Sequence, residues 1–108
     1  MDYSEKFYSH NAESATHESG WTVSYEDEFS IKYQDHGRDK IYSIEGDIDA
    51  DHNLLTILYL DSQEYAQYKR GTNDVLEVTR RIHDALSYLN SKYSEMPGKL
   101  ILEIAPSR

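Results

Sequence analysis

Leu54-Leu55-Thr56-Ile57-Leu58-Tyr59-Leu60 (LLTILYL, residues 54–60) is the longest apolar run in the chain, and the reading of the fold turns on it. Seven residues, interrupted by Thr56, are far too few to span a bilayer. They suit a β-strand well, because apolar, β-branched and aromatic side chains pack on a pleated surface. Both parities of the run are apolar, so both faces are expected to be covered. That predicts a strand near the centre of a sheet.

Outward from this strand the patterning changes in register with turn signals. Upstream, Trp21, Val23 and Tyr25 alternate with Thr22, Ser24 and Glu26, and Phe29, Ile31 and Tyr33 repeat the period after the acidic break Glu26-Asp27-Glu28. The break holds no Gly or Asn, so one long bulged strand over 21–33 is an alternative to a hairpin. Gly37, within Asp35-His36-Gly37-Arg38, marks a clearer turn, since glycine takes positive φ without steric cost. A strand over 40–45 follows. EGDIDADHN (45–53) then lies where a connection to LLTILYL is needed.

Downstream, DSQEYAQYKRG (61–71) reads as a polar link with room for a short helix. Val75, Val78, Ile82, Ala85, Leu86, Leu89 and Tyr93 recur at spacings of three and four, one apolar stripe of a long helix over about 73–94. Thr72 or Asn73 can cap its start, and Glu77–Arg81 and Arg80–Asp84 have ion-pair spacing. Pro97-Gly98 stops the helix, and Leu100, Leu102 and Ile104 form a last strand. Residues 1–20 are polar and lack a sustained period, so they read as a flexible tail ahead of one domain over 21–108. The expected class is α+β: a mostly antiparallel sheet of about five strands, order β-β-β-β-α-β, with one amphipathic helix on one face.

The chain has 108 residues, no cysteine, and a net charge of −9. Disulfides and thiolate metal sites are excluded, and the N-terminal stretch lacks the basic start and apolar run of a signal peptide. A cytoplasmic protein without a membrane segment is expected. Residues 1–51 hold 13 Asp/Glu against 4 Lys/Arg, whereas 52–108 hold seven of each. So lopsided a charge repels nucleic-acid phosphates and anionic membranes and attracts basic proteins. Solubility alone is the plain alternative.

The chemistry-bearing patterns are few. Asp47, Asp49 and Asp51 fill positions 1, 3 and 5 of a calcium-loop template, but His52 then takes the glycine position and Leu58 the bidentate glutamate. That reading fails. A looser cation site survives as an alternative if strand alternation puts Glu45, Asp47 and Asp49 on one face. The five histidines lack zinc spacing. There is no G-x-S-x-G elbow and no glycine-rich phosphate loop. The expectation is therefore no catalytic residue, no cofactor and no resident metal.

Ten tyrosines are unusual in a polar chain, and tyrosine is enriched at protein interfaces. Tyr42, Tyr88 and Tyr93 read as core-edge residues with hydroxyls in water. Tyr65 and Tyr68, beside Lys69-Arg70, read as partner contacts. With Glu26, Asp27, Glu28, Asp47, Asp49 and Asp51 as the electrostatic part, they make up the expected binding residues.

The run YQDHGRDKIYSIEGDIDADHNLLTILYLDS, the helix VLEVTRRIHDALSYL and the strand LILEI together resemble the small acidic immunity proteins of bacterial polymorphic toxin systems. The matching residues are Tyr33, Asp35, Gly37, Arg38, Ile82, Ala85, Leu86 and Leu100 to Ile104, within 21–104. The resemblance implies a bacterial, non-catalytic inhibitor that binds a basic toxin. Two alternatives remain open at this point: a phage-type protein that mimics nucleic acid to block a DNA-binding partner, and a small cation-binding domain using the 45–51 carboxylates.

Overall fold

The computed structural model describes residues 6–94 and 98–107. They form one seven-stranded sheet in the order β1-β2-β3-β4-β5-β6-β7, with two helices between the last two strands. The strands are β1 (Phe7–Asn11), β2 (Ser14–His17), β3 (Thr22–Asp27), β4 (Ser30–Asp35), β5 (Arg38–Ile48), β6 (Leu54–Leu60) and β7 (Leu100–Pro106). The helices are α1 (Ser62–Arg70) and α2 (Asn73–Tyr93). Neighbours pair antiparallel from β1 to β6, and β7 pairs parallel to β6. The two helices carry the chain back along the sheet, as a parallel connection requires.

The α+β class holds, but the expected five strands, single helix and order β-β-β-β-α-β do not. The extra strands come from residues 7–17, read from sequence as a tail. Phe7 and Ala15 are buried there. The Phe7 ring stacks on Tyr88 of α2 at 5.2 Å and meets Trp21 edge-on at 5.3 Å. Two apolar side chains were too few to give a period, yet a helix above them is enough to hold a hairpin. The extra helix is α1: Asp61 accepts from the Glu64 amide at 2.8 Å, and Gly71 ends the helix at φ 77°. The broken-strand alternative over 21–33 resolves as a hairpin. Phe29 sits in its turn, 67% exposed, while Ile31 and Tyr33 are buried. Residues 1–5 of the expected tail, and Pro97 of the expected helix stop, lie outside the described residues.

The core lies between one sheet face and α2. Val23, Ile31, Leu58 and Leu60 from the strands meet Ile82, Ala85, Leu86 and Leu89 from the helix, all nearly or fully inaccessible. Pairing places Val23, Tyr33, Tyr42, Ile44, Leu58 and Leu100 on this covered face. LLTILYL is not central. It is β6, second from the edge, and Leu55, Ile57 and Tyr59 project from the opposite face, where no helix packs among the described residues.

Candidate functional site

In an antiparallel meander, alternate turns open at the same end of the sheet. The β1–β2, β3–β4 and β5–β6 turns therefore share one end. The β4–β5 turn and the start of α1 lie at the other. That arrangement puts six of the eight residues expected to bind at one end of the sheet: Glu26, Asp27 and Glu28 where β3 turns into β4, and Asp47, Asp49 and Asp51 along the end of β5 and its turn, which reaches beyond the first. Glu13 and Glu45 join them. All are exposed except Asp49, which is half-buried.

Two of these acids also build their own turns. Asp27 Oδ1 accepts from the Phe29 amide at 2.8 Å and the Ser30 hydroxyl at 2.9 Å. Asp49 Oδ1 accepts from the amides of Asp51 and Asn53, both at 2.9 Å. The Phe29 amide, then the Ser30 hydroxyl, lowers the pKa of Asp27, and the Asn53 amide does so most for Asp49. Both therefore keep their charge to lower pH than an ordinary aspartate. Glu26 has a weak ion pair with Lys32 at 4.0 Å. Glu28, Glu45 and the Asp51 carboxylate have no ion pair or hydrogen bond among the described residues. β5 runs through Ile48, so Glu45 and Asp47 are strand residues on one face, while Asp49 has left the strand for the turn. Among the described residues no group of three or more His, Asp or Glu is placed to hold a metal ion.

Tyr65 and Tyr68 are not part of this surface. They lie on α1, which starts at the opposite end, half-buried against the core with their rings stacked at 6.5 Å. The other tyrosines also differ from expectation. The Tyr42 hydroxyl donates to Glu64 Oε2 at 3.1 Å, and Tyr88 lies 3.1 Å from Lys92 Nζ, so neither ends in water alone.

At the opposite end a cleft of about 640 Å³ opens between β4, β5 and the two helices. Sequence reasoning did not find it, because its walls come from residues 33–42, 60–67 and 74–81. Arg81 Nη1 donates to the Tyr33 hydroxyl at 2.8 Å and to Asp35 Oδ2 at 3.1 Å, and its Nε reaches Glu77 at 3.3 Å. Its guanidinium lies 5.3 Å from the Trp21 ring. Lys40 Nζ is 2.7 Å from Glu64 Oε1, an ion-pair contact rather than a directed hydrogen bond, and 3.6 Å from Asp61. Desolvation raises the pKa of Tyr33 and Tyr42, so both phenols stay protonated and serve as donors. These charges pair with each other and fasten the helices to the sheet. The acidic end keeps charges that no cation among the described residues meets.

No helix among the described residues is long and apolar enough to cross a membrane. No family model matches the chain, and no curated protein or solved structure matches it either.

Proposed function

We propose that this protein is a non-catalytic binding protein that neutralises a basic protein partner, most concretely an immunity protein blocking a cognate bacterial toxin. One observation carries the reading: the acids of three separate turns share one end of the sheet, and several have no internal counter-ion among the described residues. Exposed and without internal counter-ions among the described residues, these acids add up to one negative surface, which a basic partner would neutralise. Long-range attraction would also speed encounter, with the contact area then setting the lifetime of the complex.

The test is capture from host lysate at low and high salt, using the wild-type chain and a variant with Glu28→Gln, Asp47→Asn and Asp51→Asn. A stoichiometric basic protein, held at low salt, weakened by salt and weakened again in the variant, is the expected result. A captured protein indifferent to both changes would remove the acidic end from the mechanism. Inhibition of that protein's toxicity in cells then separates an immunity protein from a simple ligand.

A further inference from the structure

LLTILYL is apolar on both faces, and the helices cover only one. On the uncovered face, pairing aligns Asp47 with Leu55 and Ile101, Glu45 with Ile57 and Glu103, and Ser43 with Tyr59 and Ala105. Ile41, on the same face of β5, is 60% exposed. Leu55, Ile57 and Ile101, each half-buried, thus form an apolar patch across β6 and β7, and Tyr59 continues it towards Ile41. Single exposed apolar residues are ordinary, but a contiguous patch marks a contact surface. Its rim is acidic. Glu45 and Glu103 flank Ile57 on either side, and neither has an ion pair or hydrogen bond among the described residues.

We infer that this open face of β5–β7 docks a basic amphipathic segment of a protein partner. Its apolar stripe would lie on Ile41, Leu55, Ile57 and Ile101, and its Lys or Arg side chains would reach Glu45, Asp47 and Glu103. The inference rests on the basic-partner reading and adds to it the surface that holds the partner. Charge decides the occupant. A second copy of this chain, stacked back to back, would bring a net −9 against −9 and desolvate unpaired carboxylates, which is strongly unfavourable. A lysine-flanked apolar stripe buries the same residues and neutralises the rim. Glu45 and Asp47 belong to both the rim and the acidic end, so attraction and apolar contact are continuous.

The experiment titrates the chain at low salt with two synthetic peptides of equal length and charge. One is a helix with a leucine stripe flanked by lysines, and the other replaces every leucine by serine. Side-chain methyl NMR reads the site. The leucine peptide should bind about tenfold more tightly or better and shift Ile41, Ile57 and Ile101 methyls. The neutral variants Ile57→Thr and Ile41→Ser should erase that advantage while leaving the serine peptide's affinity unchanged. Ile41 is exposed enough that its variant will fold. Shifts confined to other surfaces, equal affinity for the two peptides, or a dimer of the free chain formed through this face would each overturn the assignment. If the serine peptide binds and the leucine peptide binds no better, only this surface assignment fails. If neither peptide binds, the basic-partner reading fails with it.

Discussion

At one end of the sheet Asp35, Glu64 and Glu77 each meet a cation within 3.3 Å. At the other, Glu28, Glu45 and the Asp51 carboxylate meet none among the described residues. The two ends contain the same residue types and put them to opposite use. In the first, long side chains from α1, α2, β4 and β5 converge, and desolvation makes each unpaired group costly, so the groups pair. In the second, the acids sit on turns and on the end of β5, exposed to water, where leaving a charge unpaired costs little. Acid count therefore says little about role. The elements brought face to face decide it.

The sharpest way to break this comparison is at Phe7. An aromatic chain runs from Phe7 through Trp21 to Arg81 and joins β1 to the paired end. Phe7→Ala should cost about 3–5 kcal/mol in urea denaturation. A cost near zero would mean that residues 7–17 are a tail after all. Arg81→Ala should cost about 1–3 kcal/mol, because it strips partners from Tyr33 and Asp35 at a partly exposed site.

Acid titration comes next in size. Contact with His36 first, then the Tyr33 hydroxyl and the Arg81 charge, hold the Asp35 carboxyl below the usual range against desolvation. Its folded pKa lies below its unfolded value of about 3.9. Its stabilising contribution is then fully present above that value and lost as pH falls through the folded one. The wild type should lose stability below about pH 4, and Asp35→Asn should be less stable at neutral pH and flatter across that range. The smallest effect is expected at the acidic end. Asp47→Asn with Asp51→Asn should shift stability by no more than about 0.5 kcal/mol while weakening a basic partner. A large loss of stability would give these acids a structural role and erase the contrast between the ends.

Legibility in the sequence followed the length and strength of each pattern. Seven apolar positions at helical spacing made α2 readable almost to its ends, and alternation made β3, β4, β6 and β7 readable. The α1 helix carried a signal that could have been used: Asp61 and Glu64 at capping-box spacing, with Gly71 at the far end. The hairpin of β1 and β2 had none to use, since its stability comes from packing on Trp21 and on Tyr88 of the distant helix α2. For the candidate site, the acids were legible one turn at a time, but their meeting at one end was not. Tyr65 and Tyr68 look alike on paper whether they face a partner or the core.

Taken alone, the sequence determined the α+β class, the long amphipathic helix, the acidic first half, and an apolar strand with two apolar faces. These are local properties, set by side-chain period and charge. Only the tertiary structure decided that six strands precede the helices, that Arg81 pairs with Asp35, and that LLTILYL lies next to the edge with one face bare. Each of those depends on which distant segments pack together, and a one-dimensional pattern carries no term for that. The second apolar face of β6 is the residue of the difference: written in the sequence, it is left without a helix over it among the described residues.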